Sequence, residues 1–279
     1  MKILITGKNG QLSKSFKRML PNAICLGSQE CDLSEPRKIA SVINKYAPDI
    51  IINTAAYTNV NKAEAEPELA FSINVRAVEE IAKAANEAGA RLFHFSTDYV
   101  FDGQKQSAYT EKDITNPLNV YGATKLDSEH SASKAHKHYV FRISSVYGHG
   151  GNHFLSKLIQ ALSSEQQVTV VNDQIMCPSS SDAIAQALLP LVNNTKEIPF
   201  GLYHLTSPDH CSWYNFASYA LKDSFYRHLI RPIEYASLQA AAANRPLFSA
   251  MSSNAISEHG IFMPSWKSQL DEYLRLSPV

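Results

Sequence analysis

Short apolar runs alternate with helix-like segments through the first half of the chain, and this alternation constrains the fold more than any other feature of the sequence. The segments between the runs carry apolar residues at helical spacing. Apolar strands separated by helices form parallel sheets with right-handed crossovers. The sequence therefore predicts an α/β fold with a doubly wound, Rossmann-type parallel sheet. The predicted strands are 2–6, 23–26, 49–57, 91–98 and 139–148, and the predicted helices are 10–20, 36–46, 70–89 and 119–135.

A glycine turn follows the first predicted strand directly. The run "TGKNGQLS" places Gly7 and Gly10 between that strand and a helix, with Ser13 where a third glycine would complete the pattern. Glycines let the backbone approach a pyrophosphate, whose charge meets the exposed N–H groups at the start of the helix. An ordinary tight turn uses the same residues. The position of this turn, after the first strand and before a helix, favours a dinucleotide site.

The end of the second predicted strand bears on the choice of dinucleotide. That strand runs into "GSQE", with no acidic residue at its immediate end. An acid there binds the ribose hydroxyls of NAD(H) and repels the 2′-phosphate of NADP(H). Its absence favours NADP(H) as cofactor, with NAD(H) as the second candidate. Lys8, inside the glycine turn, is either a partner for that phosphate or a solvated lysine.

The second half of the chain is less regular, because prolines divide it into shorter segments. We expect residues 1–150 to form the dinucleotide-binding domain and residues 151–279 to form mainly a smaller α/β substrate-binding domain. The segments around 180–197 and 236–256 are expected to return to the first domain. The predicted strands in this half are 168–171 and 201–206, and the predicted helices are 152–163, 181–193, 212–223 and 266–276.

Charge and cysteine content exclude several classes of partner. The 279 residues include 26 basic and 26 acidic side chains, so we expect neither nucleic acid nor a membrane as partner. No run approaches the roughly 20 apolar residues of a membrane span, and the start "MKILITGKNG" is too short in apolar residues for a signal peptide. The four cysteines form no CxxC pair, which favours free thiols in a reducing cytoplasm.

A polar cluster closes the fourth predicted strand and precedes a tyrosine–lysine pair. The run "FHFSTD" ends with Thr97 and Asp98, at the edge of the sheet where α/β proteins bind ligands. Tyr121 and Lys125 lie four residues apart, on one face of a predicted helix. A lysine lowers the pKa of a neighbouring phenol, and a threonine hydroxyl can bind a substrate oxygen. Although YxxxK also arises by chance, the glycine turn favours carbonyl–alcohol chemistry beside a nicotinamide, with Thr97, Tyr121 and Lys125 as catalytic residues.

These motifs stand in the order found in one known family. The chain resembles the extended short-chain dehydrogenase/reductases, and most closely the dTDP-4-dehydrorhamnose reductase family, over nearly its whole length. The resemblance implies NADPH-dependent reduction of the 4-keto group of a nucleotide-diphosphate 6-deoxysugar. The matching runs are "GKNGQL", "CDLSEP", "FSTDYVFDG", "PLNVYGATKLDSE", "FRISSVYG", "GLYHLT" and the "RP" at 245–246.

The resemblance also implies a role for each matching residue. Tyr121 would donate the proton, Lys125 would bind the nicotinamide ribose and lower the pKa of Tyr121, and Thr97 would tune Tyr121. The implied cofactor-binding residues are Gly7, Gly10, Gln11, Leu12, Asp32, Leu33, Ala56, Tyr57, Thr58, Tyr121 and Lys125. The implied substrate-binding residues are Thr97, Asp98, Ser145, Gln174 and Arg245.

Three departures from the family pattern affect these expectations. Ser145 stands where the family commonly carries a tryptophan against the sugar, and Met176 and Cys177 replace small residues in "NDQIMCPSSS". The identity of the sugar and the stereochemistry of the product therefore stay open. Some members carry an early glutamate in the first helix that supports a magnesium-linked dimer. Ser15 stands there instead, so we expect no metal site.

Two other functions remain open at this point. A non-catalytic regulatory subunit, resembling that of methionine adenosyltransferase, would share the fold, but the intact set of Thr97, Tyr121 and Lys125 favours an enzyme. A nucleotide-sugar epimerase or dehydratase would use the same residues with no net consumption of cofactor. For the main hypothesis the expected partner is a nucleotide-diphosphate sugar, bound by a monomer or a homodimer.

Overall fold

The chain alternates strands and helices in its first half and uses shorter elements in its second half. The computed structural model describes residues 1–164, 166–238 and 243–276. The strands are β1 (Ile3–Thr6), β2 (Ile24–Leu26), β3 (Ile50–Asn53), β4 (Arg91–Thr97), β5 (His138–Ile143), β6 (Val146–Tyr147), β7 (Val168–Val171), β8 (Ile175–Met176), β9 (Ser179–Ser180), β10 (Gly201–His204), β11 (Cys211–Ser212) and β12 (Ile230–Ile233). The helices are α1 (Gln11–Met19), α2 (Pro36–Asn44), α3 (Val60–Ala65), α4 (Pro67–Phe71), α5 (Ala77–Ala88), α6 (Val120–Ala132), α7 (Phe154–Leu162), α8 (Ser181–Val192), α9 (Trp213–Ala220), α10 (Asn254–Ser257) and α11 (Trp266–Leu276).

A six-stranded sheet in the order β10-β5-β4-β3-β1-β2 forms the centre of the molecule. Its neighbouring strands all run parallel; Leu4 of β1, for example, lies opposite Ile24 of β2 and Ile51 of β3. The strand order reverses at β1, because β2 and β3 lie on its two sides. The predicted doubly wound parallel sheet is thereby confirmed, and its switch point is where such sheets bind ligands.

Helices cover both faces of this sheet, as the apolar character of its strands requires. On one face, Phe16 of α1 and Leu188 of α8 are buried with Phe93 of β4. On the other face, Ile81 of α5 packs with Leu92 of β4, and α2 joins the same core. Successive residues of β4 thus face opposite sides of the sheet, and both sides are buried from solvent.

A smaller layer, built from the second half of the chain, contains α7, α9 and α11 with the strand pairs β7–β12 and β8–β11. Phe216 and Trp266 are buried between its helices, with ring centroids 5.9 Å apart. Of the segments expected to return to the first domain, α8 packs on α1, and Ile256 of α10 joins the same core. Residues 239–242 of the segment 236–256 lie outside the described residues.

The strand β10 belongs to the six-stranded sheet, although its position in the sequence suggested the C-terminal domain. It pairs with β5, so that Leu202 lies opposite Val140. A parallel edge strand and a strand of a separate domain give the same short apolar run. The sequence pattern alone therefore could not assign it to the main sheet.

Two predicted elements are interrupted in the structure. The strand predicted over 139–148 is divided into β5 and β6, because Ser145 adopts a left-handed φ of 46°. The helix predicted over 70–89 contains a π-helical turn at Ser72–Arg76. Within that turn Asn74 is buried, and its Oδ1 accepts the backbone N–H of Tyr57 at 2.8 Å. Both interruptions lie close to the carboxyl edge of the sheet and shape the site there.

Candidate active site

A cleft of about 760 Å³ opens at the carboxyl ends of β1, β3 and β4, where the strand order reverses. This volume is in the range of sites that bind small molecules and cofactors. The cleft brings the glycine turn and the tyrosine–lysine pair into one space. The predicted site residues that line it are Gly7, Gly10, Gln11, Leu12, Ala56, Thr58, Thr97, Tyr121, Lys125 and Ser145.

The glycine turn forms a cradle that side chains would fill. Gly7 has a φ of 78°, and a Cβ there would lie 3.0 Å from the backbone of Ala55. A Cβ at Gly10, the residue before α1, would lie 3.2 Å from the Gly7 carbonyl. Among the described residues, the buried Oε1 of Gln11 has no hydrogen-bond partner. A close-approach turn, a helix start and an unpartnered polar atom together fit the pyrophosphate of a dinucleotide.

The start of α6 is held firmly beside this cradle. Asn119 caps the helix, since its Oδ1 accepts the backbone N–H of Gly122 at 2.7 Å. The carboxylate of Glu64 on α3 accepts the N–H of Val120 at 2.8 Å. Gly122 also lies against the loop after β4, where a Cβ would be only 2.3 Å from the carbonyl oxygen of Tyr99. These contacts fix where Tyr121 enters the cleft.

Three side chains on one face of α6 contact the last residues of β4. The phenol of Tyr121 is hydrogen-bonded to the hydroxyl of Thr97. The ammonium of Lys125 donates to the carbonyl oxygen of Phe95 at 2.7 Å. One turn further, Oε1 of Glu129 accepts the hydroxyl of Ser96 at 2.5 Å. Because these three residues are four positions apart on α6, their side chains all face the end of β4.

Burial shifts the pKa values of both members of the pair. Loss of solvation raises the pKa of Tyr121 to about 12, helped by the Asp98 carboxylate and opposed by the Thr97 hydrogen bond. Burial lowers the pKa of Lys125 to about 8, and the Glu129 carboxylate opposes that shift. Desolvation is the largest influence on both groups, and the expectation that Lys125 lowers the pKa of Tyr121 stays a prediction. At neutral pH Tyr121 is a phenol with a proton to give.

Asp98 is buried and is not among the described residues that line the cleft, so its expected contact with the sugar stays a prediction. Its carboxylate is buried and accepts hydrogen bonds from Thr97 (3.1 Å), Ser144 (2.8 Å) and Ser249 (2.5 Å). Burial raises the pKa of Asp98, and these hydroxyls lower it. The Thr97 hydroxyl is thus shared between Asp98 and Tyr121. Sequence reasoning missed Ser144 and Ser249, since nothing in the chain marks hydroxyls that meet across such distances.

The other predicted residues outside the cleft lining make local or packing contacts. Asp32 closes a turn by accepting the N–H of Ser34 at 2.9 Å, and Leu33 is buried in the core. Tyr57 donates its hydroxyl to Glu66 at 2.7 Å. Arg245 donates to Asn61 at 3.0 Å. Gln174 is buried just before β8 and is not among the described residues that line the cleft.

The structure supplies an acidic residue after β2 that the sequence analysis did not recognise. A turn brings Glu30 back to Gly27, whose backbone N–H donates to Oε2 at 2.9 Å. Oε1 of the same carboxylate lies 3.3 Å from the ammonium of Lys8. The expectation that no acid lies at the end of this strand is therefore wrong, because the turn brings the Glu30 carboxylate back to the end of β2. Its only sequence signal is "GSQE" itself.

Metal and thiol chemistry find no support in the residues that the structure describes. Among them, no group of three or more His, Cys, Asp or Glu side chains could hold a metal ion. The four cysteines are free thiols, and burial raises the pKa of Cys177 to about 12, so this thiol is not a nucleophile at neutral pH. Within the same described ranges, every helix is too short or too polar to cross a bilayer.

Comparisons with known proteins agree with this site. A family model described as the RmlD substrate binding domain matches residues 1–277. The dTDP-4-dehydrorhamnose reductase of Sinorhizobium fredii is 36% identical over 281 residues, which cover 96% of this chain and 94% of that protein. A crystal structure of such a reductase from Clostridium acetobutylicum has a TM-score of 0.94 at 32% identity, with 100% of both chains covered. The structure from Bacillus anthracis, solved with NADP, has a TM-score of 0.91 at 31% identity and covers 99% of this chain and 100% of that one.

Proposed function

The chain belongs to the dTDP-4-dehydrorhamnose reductase family, and from this premise we propose that it reduces the 4-keto group of a nucleotide-diphosphate 6-deoxysugar with NADPH. The observation that carries the proposal is the presence of Thr97, Tyr121 and Lys125 in the same cleft as the glycine cradle. A binding module needs the cradle alone. A tyrosine held by a hydroxyl beside a buried ammonium serves proton transfer.

A bound nicotinamide supplies the hydride in this proposal. Tyr121 gives its proton to the carbonyl oxygen on C4 of the sugar, which becomes an alkoxide as the hydride adds to C4. Its raised pKa, about 12, keeps that proton in place at neutral pH, and an alkoxide is basic enough to remove it. The Thr97 hydroxyl, already bonded to the phenol, then stabilises the phenolate.

Lys125 has two tasks in this mechanism. Its ammonium lines the cleft, where it can bind the hydroxyls of the nicotinamide ribose. It also offers a positive charge near Tyr121 as the phenolate forms. The hydrogen bond to the Phe95 carbonyl keeps the ammonium at the base of the cleft, at 2.7 Å. Glu129, one turn away, helps to retain the proton on Lys125.

We propose that the sugar nucleotide binds on the side of the cleft that faces the second half of the chain. Ser145 lines the cleft, and its small side chain leaves room for the sugar. Arg245 and Gln174 are the candidates for the diphosphate and the sugar, because the fork of an arginine pairs with phosphate oxygens. In this arrangement the six-stranded sheet holds the dinucleotide. We expect a monomer or homodimer in the cytoplasm, where the four free thiols stay reduced.

Oxidation of NADPH with a panel of dTDP-, UDP- and GDP-linked 4-keto-6-deoxysugars tests the proposal. The Tyr121→Phe protein should still bind NADPH but lose nearly all turnover. Retained turnover would show that Tyr121 is not the proton donor. Conversion of the sugar without net NADPH oxidation would indicate an epimerase or dehydratase. A stoichiometric synthetase partner, with no oxidation of NADPH on any sugar, would indicate a regulatory subunit.

A further inference from the structure

A hydrogen-bond chain of buried side chains crosses the six-stranded sheet from β1 to α6. The hydroxyl of Thr6 lies 2.5 Å from Oδ1 of Asn53, whose Nδ2 lies 3.0 Å from Nδ1 of His94. Nε2 of His94 lies 2.9 Å from the hydroxyl of Ser128, which donates to the backbone carbonyl of Lys125 at 2.6 Å. All five residues are buried, so water does not compete for these hydrogen bonds. Strands β1, β3 and β4 are thereby connected to α6.

The carbonyl at the end of this hydrogen-bond chain fixes its direction. A carbonyl oxygen only accepts, so the Ser128 hydroxyl donates to Lys125 and must accept from Nε2 of His94. Burial, and then the nearby ammonium of Lys125, hold the pKa of His94 well below its usual range, so the imidazole is neutral and Nδ1 carries no proton. Asn53 therefore donates through Nδ2 to Nδ1, and its Oδ1 accepts the hydroxyl of Thr6. Every donor points towards α6.

Both ends of the hydrogen-bond chain lie at the cleft. Thr6 directly precedes the glycine cradle, and Lys125 lines the cleft. Phe95, the residue after His94, accepts the ammonium of Lys125 on its backbone carbonyl at 2.7 Å. Two adjacent residues of β4 thus hold one lysine. Phe95 holds its ammonium directly, and His94 holds its backbone carbonyl through Ser128.

We propose that His94 is a positioning residue for Lys125 and acts through Ser128. The inference rests on the proposed function, because it concerns the lysine of the same site. His94 is fully buried and is not among the described residues that line the cleft, so it does not act on the substrate. Its imidazole accepts on one side and donates on the other, which ties the turn of α6 that carries Lys125 to β1 and β3. Without this tie the turn can shift, and a small displacement of a catalytic group lowers the rate strongly.

The tautomer of His94 tests the hydrogen-bond chain without any substrate. The ¹⁵N NMR signals of histidine-labelled protein, with those of His94 identified by their loss in His94→Gln, distinguish protonated from unprotonated ring nitrogens. We expect a protonated Nε2 and an unprotonated Nδ1 at pH 7. A proton on Nδ1 alone, or on both nitrogens, would reverse or break the direction from Asn53 to Ser128 and overturn the inference.

Turnover of three variants and one double variant tests the role in positioning. His94→Phe keeps a ring but removes both hydrogen bonds, and it should lower kcat about ten-fold. Ser128→Ala interrupts the hydrogen-bond chain next to Lys125 and should lower kcat by a similar factor. The double variant should be no slower than either single variant, because both changes remove the same connection. His94→Gln retains an N–H for Ser128 and should keep more turnover than His94→Phe, whereas a role in packing alone predicts the reverse order.

Leu92→Val is the matched control, a buried change two residues before His94 on the same face of β4. It should lower stability to urea and leave kcat unchanged. Additive losses in the double variant, or a kcat that follows stability in every variant, would overturn the inference. If His94→Phe does not fold, Ser128→Ala, His94→Gln and the tautomer decide the question. If the native protein reduces no keto-sugar, the proposed function fails and the role of His94 in turnover fails with it, while the tautomer still tests the hydrogen-bond chain.

Discussion

Glu129 and Arg142 form a two-point ion pair in the interior, one turn of α6 beyond Lys125. Nε and Nη2 of Arg142 lie 2.9 and 2.8 Å from the two carboxylate oxygens of Glu129, and both residues are buried. The guanidinium also lies 5.1 Å from the ring of Phe101. The pair ties α6 to β5 and places a carboxylate where it favours the charged form of Lys125. Positioning of Lys125 is thereby linked to a contact outside the cleft.

As the pH is raised, the Glu129→Gln protein should lose its activity at a lower pH than the native protein does. Lys125 acts as a cation, so activity falls as the pH rises through its pKa. Removing the carboxylate lowers that pKa from about 8, because Glu129 opposes the effect of burial. We expect the alkaline limb of the kcat/KM profile to move down by about one pH unit.

The same substitution should reduce stability, because it leaves the buried guanidinium of Arg142 without its partner. A loss of about 3–5 kcal/mol in the free energy of unfolding is expected, measured by urea denaturation. The surface variant Glu79→Gln serves as control and should change neither quantity. An alkaline limb that stays in place in a folded Glu129→Gln protein would show that Glu129 has no influence on Lys125.

Lys125 itself should make the stability of the protein rise with pH. Its pKa is about 8 in the folded state against a usual value of 10.5, so between these values the unfolded chain binds more protons. The native protein should therefore gain up to about 3 kcal/mol over this range relative to Lys125→Met. Urea unfolding of both proteins at pH 7, 8.5 and 10 measures the difference. A constant difference would contradict the low pKa of Lys125.

Much of this architecture was predictable because it depends on local order along the chain. The alternation of strands and helices identifies the parallel sheet, and the spacing of Tyr121 and Lys125 places both side chains on one helical face. The carboxyl ends of parallel strands meet at one edge. The glycine turn and Thr97 therefore had to lie near each other, whatever the details of the second half.

The remaining features depend on contacts that no local pattern records. Ser249 reaches Asp98 from a distant part of the chain, at 2.5 Å. Glu30 meets Lys8 because a turn folds back on Gly27, and the pKa of Tyr121 depends on how deeply the phenol is desolvated. Ser145 divides a strand through a left-handed backbone that serine rarely adopts. Each of these required the three-dimensional arrangement.

The Ser249→Ala protein should be destabilised more at neutral than at acid pH. Ser249 donates to the buried Asp98 carboxylate, and its loss leaves that oxygen with Ser144 alone. Since the hydroxyls lower the pKa of Asp98 and burial raises it, fewer donors make the charged form costlier. We expect a loss of about 1–3 kcal/mol near pH 7 and a smaller one near pH 4, where Asp98 is more often protonated.

Thermal or urea unfolding at the two pH values measures this effect, and Ser252→Ala, a nearby serine that does not bond Asp98, is the control. An equal loss at both pH values would mean that Ser249 contributes only packing. Turnover should also fall in Ser249→Ala, because Asp98 shares the Thr97 hydroxyl with Tyr121.

The Gly122→Ala protein should lose both stability and turnover, although alanine favours helices by about 1 kcal/mol over glycine. The new Cβ would lie 2.3 Å from the Tyr99 carbonyl oxygen and 3.0 Å from Pro117. The start of α6 must then move away from the loop after β4, which carries Tyr121 away from Thr97. We expect a net loss of about 1–3 kcal/mol in the free energy of unfolding and a fall in kcat of at least about ten-fold.

The matched control for Gly122→Ala lies on the next residue of the same helix. Ala123 is exposed, so Ala123→Gly should cost about 1 kcal/mol through helix propensity and leave kcat unchanged. NADPH binding separates the two effects in Gly122→Ala, because the glycine cradle follows β1 and not β4, so it should keep its affinity for the pyrophosphate. A Gly122→Ala protein with native stability and native kcat would show that the close approach of α6 to Tyr99 does not position Tyr121.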